Sequence, residues 1–266
     1  MNVANNHSDD ILVIKNLTVD FGGVRAVNDV SFSLQPGEFV GLIGPNGAGK
    51  TTVFNLITNA IKPTSGEIIL NGKNILGKSP DQICRLGISR TFQNIRLFPQ
   101  MTAYENVELG LHSTPHYTIA EAFIRTPRAN RVEKETHHRA LELLDIVNLK
   151  EFASERASSL PYGLQRRLEM ARAMATSPQL LLLDEPAAGM NEDECRDLVR
   201  LIRQIHETMH YTMIMIEHHM NVVMDLCRGS RIYVLSLGSL LAVGSPAEIQ
   251  NNPQVIKAYL GERKNA

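Results

Sequence analysis

Apolar residues change rhythm along this chain, and the changes mark its organisation. From 11 to 72 the pattern is that of strands. Ile11 to Phe21 is rich in Ile, Leu and Val, Val30 to Leu34 alternates, and Glu67 to Leu70 runs into an Asn71-Gly72 turn. An antiparallel β-layer is expected there. From about 85 to 175 the pattern is mostly helical, with Leu141, Leu144 and Val147 on one face. Strand character returns in the short apolar runs Leu180 to Leu183 and Met213 to Ile216. Between them Leu198, Leu201, Ile202 and Ile205 fall at helical spacing. Buried strands alternating with helices predict a parallel sheet covered on both faces. One more strand pair is expected around Leu237-Gly238-Ser239.

Helix starts are readable from capping chemistry. Ser79-Pro80-Asp81-Gln82, Thr102-Ala103-Tyr104-Glu105 and Ser245-Pro246-Ala247-Glu248 each place a hydroxyl three residues before Gln or Glu, and Asn191 stands likewise before Glu194. His112 to Arg131 is different. Pro115, Pro127 and several basic residues make it an expected loop or short helical excursion. No internal repeat is visible.

Composition narrows the class. A chain of 266 residues with 43% hydrophobic and 21% charged content can bury one large core or a core plus an inserted subdomain. The formal net charge of -1 lacks the basic footprint of a nucleic-acid binder, so no nucleic-acid partner is expected. Cys84, Cys195 and Cys227 are scattered, with no metal-ligand spacing, and read as free thiols in a reducing compartment. Met1 to Asp10 has none of the layout of a secretory signal. No apolar stretch reaches the roughly 18 residues that a spanning helix needs. A protein soluble by itself is expected, any membrane part being supplied by another chain.

Gly44-Pro45-Asn46-Gly47-Ala48-Gly49-Lys50-Thr51 matches the phosphate-cradling pattern G-x-x-x-x-G-K-[ST] at every specified position. It lies between the apolar run Phe39 to Ile43 and a potential helix, Thr51 to Ile57. Its glycines let the backbone curl so that N–H groups converge on phosphate oxygens. The following helix start, including Thr52, adds its positive dipole end. Lys50 supplies a mobile charge for the β- and γ-phosphates, and the Thr51 hydroxyl is placed to hold a magnesium ion. A second constellation ends the run Leu180 to Leu183 in Asp184-Glu185-Pro186. A buried strand delivering two acids at its C-terminal end puts them in the crevice where α/β sheets bind ligands. Asp184 could hold magnesium, directly or through water. Glu185 could orient and deprotonate a water for attack on the γ-phosphate of ATP.

With these residues, the sequence from Leu17 to Leu260 resembles the ATP-binding subunits of ABC transporters, in particular the LivG type that serves branched-chain amino-acid import. Further marks of the likeness are Arg90-Thr91-Phe92-Gln93, Arg166-Arg167-Leu168-Glu169, Ala187-Ala188-Gly189, Ile216-Glu217-His218 and Asn251-Asn252-Pro253. The resemblance implies an α/β fold, a P-loop ABC ATPase with a mixed core sheet, an antiparallel β-subdomain and an inserted α-helical subdomain. A polar tail (1–10) would precede a single domain (11–260), divided into a RecA-like core with its β-layer (11–84 and 176–260) and a helical subdomain (85–175), before a tail at 261–266. The likeness also implies that Phe21 stacks on adenine, that Gln93 reaches magnesium and the attacking water, and that His218 contacts the γ-phosphate. The implied partners are two integral membrane permease subunits, a second ABC ATPase subunit and, indirectly, a periplasmic solute-binding protein. The implied location is the cytoplasmic face of the bacterial inner membrane, held peripherally.

Two positions depart from that pattern. Where the family reads Leu-Ser-Gly-Gly-Gln, this chain has Leu160-Pro161-Tyr162-Gly163-Leu164, so the serine hydroxyl that donates to the ATP of the opposite subunit is missing. Pro161 also lacks an N–H, although a helix start tolerates proline. Asn191 replaces a family aspartate and keeps a capping side chain without the charge. Rival readings are a soluble non-transport ABC ATPase, a nucleotide-binding subunit with little turnover, and the ATPase of a lipopolysaccharide exporter.

Overall fold

A computed structural model of the chain describes residues 10–112 and 127–262. Most of the irregular stretch expected at His112 to Arg131, nearly all of the tail at 1–10 and residues 263–266 of the other lie outside these residues. Two sheets form the frame. The smaller is antiparallel, in the order β2-β1-β4-β5, from β1 (Leu12–Phe21), β2 (Val24–Leu34), β4 (Ser65–Leu70) and β5 (Lys73–Asn74). The expected Asn71-Gly72 turn joins β4 to β5 with φ of 48° and 74°, the left-handed pair that a two-residue hairpin requires. The larger sheet has the order β10-β9-β3-β8-β7-β6. It contains β3 (Phe39–Ile43), β6 (Ile88–Arg90), β7 (Leu180–Asp184), β8 (Thr212–Ile216), β9 (Arg231–Ser236) and β10 (Ser239–Gly244).

The apolar runs predicted a parallel sheet, and every pairing from β9 to β6 is parallel. Only β10 runs antiparallel, to β9, so the core sheet is mixed, as the resemblance implies. One expectation needs correcting. The stretch from about 85 is not helical at its start, because Ile88–Arg90 forms β6 and pairs with β7. Three residues are too short to carry a period, so this strand was invisible to pattern reading. Of the loop or short helical excursion expected at His112 to Arg131, the described part, Pro127 to Arg131, is helical and opens a long helix.

Helices cover the sheet. Along the chain they are α1 (Lys50–Ile57), α2 (Pro80–Arg85), α3 (Ala103–Leu111), α4 (Pro127–Ile146), α5 (Tyr162–Ala175), α6 (Glu192–Met209), α7 (Met220–Leu226), α8 (Pro246–Gln250) and α9 (Pro253–Glu262). The predicted caps are in place. Thr102, Asn191 and Ser245 accept from the backbone N–H three residues on, and Glu105, Glu194 and Glu248 reach back to the cap N–H. None of the described helices is long and apolar enough to cross a membrane.

Strand alternation splits the core in two. Val40, Leu42, Leu180, Leu182, Ile214 and Ile216 face α1 and the small sheet. Phe39, Ile43, Leu181, Leu183, Met213 and Met215 face the other way, toward α3 to α6. Gly41 in the middle of β3 makes room for a neighbour on one of these faces, since a Cβ there would lie 2.9 Å from the Cys227 Sγ. Cys227 is fully buried, and burial pushes its thiol up to about 12. It is a packing atom, not a reagent. Gly41→Ala is therefore expected to cost about 1–3 kcal/mol through overpacking. Adding Cys227→Ala should recover part of that loss. Urea unfolding of the four proteins in the cycle reads the coupling, and strictly additive values would show that the two atoms do not compete.

Candidate functional site

Three neighbouring strands of the large sheet, β3, β8 and β7, end at the same level, and β6 beside them stops two residues short, with Arg90 opposite Leu182. Register pairs Leu42 with Ile216 and Ile216 with Asp184, so the segments following β3, β8 and β7 leave the sheet side by side, with the segment after β6 next to them. These segments carry the phosphate loop, His218, Glu185 and Gln93 respectively. A crevice at the carboxyl ends of parallel strands is where this architecture places ligands.

The loop after β3 has the curl its glycines predict. Gly44, Gly47 and Gly49 have φ of 151°, 71° and 97°. A Cβ on Gly44 would stand 2.1 Å from the Leu235 carbonyl oxygen, so only glycine fits. Gly49 is the cap of α1 and provides no side-chain acceptor, which leaves the helix start to its backbone donors. Lys50 is nearly buried, and its Nζ donates to the carbonyls of Gly44 at 2.7 Å and Pro45 at 2.8 Å. The ammonium is thus held inside the curl of the loop. Thr51 is exposed at the head of α1. Phe21 ends β1 half-exposed at 48%, outside the core that a strand aromatic would ordinarily join.

The acidic side of the crevice is more tightly organised than the sequence revealed. Gln93 Nε2 donates to Glu185 Oε2 at 2.8 Å, and His218 Nε2 lies 2.7 Å from Glu185 Oε1. A carboxylate only accepts, so His218 Nε2 carries the proton of this bond. Glu185 itself has φ of 48°, a left-handed backbone that is unfavourable for a glutamate and is held by its N–H donating to Ile216 O at 2.9 Å. Asp184 is buried, and its Oδ2 pairs with Arg90 at 2.6 Å. The neighbouring Glu217, 1% exposed, accepts from the backbone N–H groups of Ala187, His218 and His219, stitching the ends of β7 and β8 together. Its role was not legible, because a glutamate after an apolar run carries no local sign of burial.

Pro161 stands one residue before the first turn of α5, as its cap, and its carbonyl accepts from Leu164 and Gln165 N–H. No side chain caps this helix start. Leu160 is buried, while Tyr162 is half-exposed and donates to Ala188 O at 3.1 Å. Gly163 follows in the first turn. Deeper in α5, the fully buried Arg166 donates to the carbonyls of Phe92 and Gln93, each at 2.5 Å, and pairs with Glu169 at 3.1 Å. Glu169 in turn accepts from the N–H groups of Phe92 and Arg96. The Gln93 segment is therefore clamped by a buried ion pair on the helix that begins at Pro161. Sequence reading used these two residues only as marks of likeness. The available signal was a pair of opposite charges three residues apart on a helix face that also carries Met170 and Met174.

The donor set fits a hard divalent cation. Thr51, Asp184 and Gln93 offer oxygens, and no cluster of three or more His, Cys, Asp or Glu able to hold a metal occurs among the described residues. Magnesium is ordinarily held in that way, by one or two protein oxygens together with substrate phosphates.

Comparison with known proteins agrees with this geometry. Residues 27–188 match the ABC transporter family, and residues 239–265 match the branched-chain amino acid ATP-binding cassette transporter family. The chain is 46% identical over 255 residues to the high-affinity branched-chain amino acid transport ATP-binding protein LivG of Escherichia coli (strain K12), covering 96% of this chain and 99% of that protein. The ADP conformation of an ATP-binding cassette of an ABC transporter superimposes with a TM-score of 0.81 at 28% identity, over 95% of this chain and 99% of that one. A dimeric post-hydrolysis cassette bound to ADP and Pi gives 0.72 at 28%, over 88% and 98%. The fold and crevice define an ATP-binding cassette, an ATPase coupled to transport. The chain belongs to the ABC transporter family.

Burial pushes the Glu169 carboxyl above its usual range, against the pull of the Arg96 and Phe92 N–H groups and the Arg166 charge. Arg166→Met removes that charge and is expected to destabilise the protein by about 3–5 kcal/mol at neutral pH. The sign with pH follows from the raised value. The folded state binds its proton more readily than the unfolded state, so the penalty is present above the folded value and fades as pH falls through it toward 4.5. Denaturant unfolding at pH 5 and pH 8 should show a smaller deficit at the lower pH. An equal deficit at both would mean that Glu169 is not left unpaired.

Proposed function

We propose that this chain is the ATP-hydrolysing subunit of an importer for branched-chain or related amino acids, attached peripherally to the cytoplasmic face of the bacterial inner membrane. The observation that carries the catalytic part is the carboxylate of Glu185, held between Gln93 and His218 at the mouth of the crevice that the phosphate loop enters. In this reading residues 44–52 cradle the triphosphate, all but Pro45 having an N–H to offer, Lys50 compensates the β- and γ-phosphate charge, and Phe21 stacks on adenine. Gln93 and Glu185 orient a water for in-line attack, and Glu185 accepts its proton. His218, with Nε2–H on Glu185, fixes the base and presents its ring to the terminal phosphate. Thr51, Asp184 and Gln93 would hold a magnesium ion, which when bound neutralises charge on the phosphates. Little covalent chemistry is asked of the protein beyond positioning and charge compensation.

The partners in this reading are two membrane permease subunits and a second ATPase subunit, a related paralogue or a copy of this chain, with a periplasmic binding protein delivering the solute. Two cassettes close head to tail, so that Leu160, Pro161, Tyr162 and Gly163 face the nucleotide of the opposite subunit. The likeness to LivG supports the cargo class. The crevice carries no information on it.

Glu185→Gln should leave ATP affinity intact and lower turnover by about 10²–10⁴-fold. Cells carrying it should lose radiolabelled leucine uptake while other transport continues. Retained leucine uptake would sink the cargo assignment, and unchanged ATP turnover the catalytic one. Pro161→Ser should speed the step at the partner's nucleotide by roughly tenfold or more, the worth of one hydrogen bond to a charged group, and so raise the ATPase rate of the assembled complex. No rise at all would show that the proline is silent.

A further inference from the structure

Arg90 is the last residue of β6, and its guanidinium is almost wholly buried, with 8% of the side chain exposed. It joins two parts of the site that the backbone leaves separate. Nη2 pairs with Asp184 Oδ2 at 2.6 Å, and Nη1 donates to Asn55 Oδ1 at 2.7 Å. Asn55 lies one turn along α1 from Thr51, so one side chain clips the helix bearing the hydroxyl to the strand end bearing the carboxylate. The cation lies 5.5 Å from the centre of the Phe54 ring and 5.2 Å from that of Phe92, which exclude water on two sides. Its Nε is buried without a hydrogen-bond partner, as is that of Arg166. The Asp184 carboxylate therefore meets an approaching cation with one oxygen already committed and its charge already compensated.

We propose that Arg90 is a positioning residue for metal capture: an internal counter-ion that holds Asp184 at a fixed distance from α1 and makes capture of a divalent cation conditional on the nucleotide. Alone, the cation gains too little from a compensated carboxylate. With the triphosphate seated, phosphate oxygens supply the missing negative charge. The guanidinium charge, 2.6 Å from one carboxylate oxygen, opposes a second, divalent cation on the same group. This inference rests on the ATPase reading above, but its test reads metal binding, not turnover.

The probe is Mn²⁺ alone, followed by electron paramagnetic resonance of the whole chain without nucleotide. The wild-type protein is expected to bind Mn²⁺ only weakly until ATP is added. Arg90→Met should bind it about tenfold or more tightly without nucleotide. Arg90→Lys, which keeps the charge, should stay close to wild type, and Arg90→Met with Asp184→Asn should lose the gain. Equal Mn²⁺ affinity of wild type and Arg90→Met overturns the proposal. If Arg90→Met does not fold, the wild-type titration still decides, because tight stoichiometric Mn²⁺ binding without nucleotide is incompatible with a compensated Asp184. A wild-type chain that ignored ATP would sink the ATPase reading instead, whereas ATP binding with unchanged Mn²⁺ behaviour sinks this inference alone.

Discussion

Strands β3, β8 and β7 have no exposed side chain along their length: Phe39–Ile43, Thr212–Ile216 and Leu180–Asp184 are buried at every position. With helices on one face and the small sheet with α1 on the other, the strands cannot carry chemistry on their faces. Polar groups can appear only at or past their ends, as Asp184 does in the last position of β7, and the parallel register sets those ends level. A slip of one residue in β7 would move Glu185 by about 3.3 Å and turn Leu181 and Leu183 toward the wrong core. Hydrophobic packing on both faces thus fixes the geometry of the crevice.

The second level of organisation is ionic and buried. Arg166 and Glu169 on α5 grip both the carbonyl and the amide side of the Gln93 segment, while Tyr162 at the head of the same helix reaches Ala188, just beyond Glu185. Buried ion pairs contribute little net stability against an apolar replacement, but they define one arrangement, because a half-broken pair is costly. Here that arrangement joins the start of α5 to Gln93, and through Gln93 to Glu185 and His218. A shift of α5 relative to the sheet therefore acts directly on the group that holds the carboxylate. This is a contiguous physical route between the helix start and the Glu185 carboxylate, of the kind a two-state device needs.

What the sequence disclosed follows from which signals are local. The phosphate loop is written in glycines whose positive φ values favour glycine, the caps are written in residue pairs three apart, and the buried strands in unbroken apolar runs. All of these are short-range, and the structure bears each out. The β6 strand was hidden because three residues carry no period. Arg90, Arg166, Glu169 and Glu217 were hidden for a different reason. A charged residue reads as solvated unless its long-range partner is known, and Asp184 lies 94 residues from Arg90. The bonds of Gln93 and His218 to Glu185 span 92 and 33 residues, so their convergence came from the family likeness and not from spacing.

The same division explains how an intact cradle can coexist with an altered signature. The cradle is made of backbone, and its requirement is glycine at Gly44, where a Cβ would collide with Leu235 O. The start of α5 is also made of backbone, and Pro161 satisfies it: its ψ of 152° is extended, and its carbonyl receives the first bonds of the helix. Only the side-chain donor is absent. In the proposed head-to-tail pair each nucleotide takes its cradle from one subunit and its signature from the other. The loss of that donor therefore falls on the partner's nucleotide, while the crevice built by this chain's own strand ends depends on the partner's helix. Folding constrains position 161 to a residue that can start a helix. Whether a hydroxyl is also needed there is set by the partner's site, which is why proline can stand at 161 without disturbing the Lys50 and Glu185 geometry of this chain.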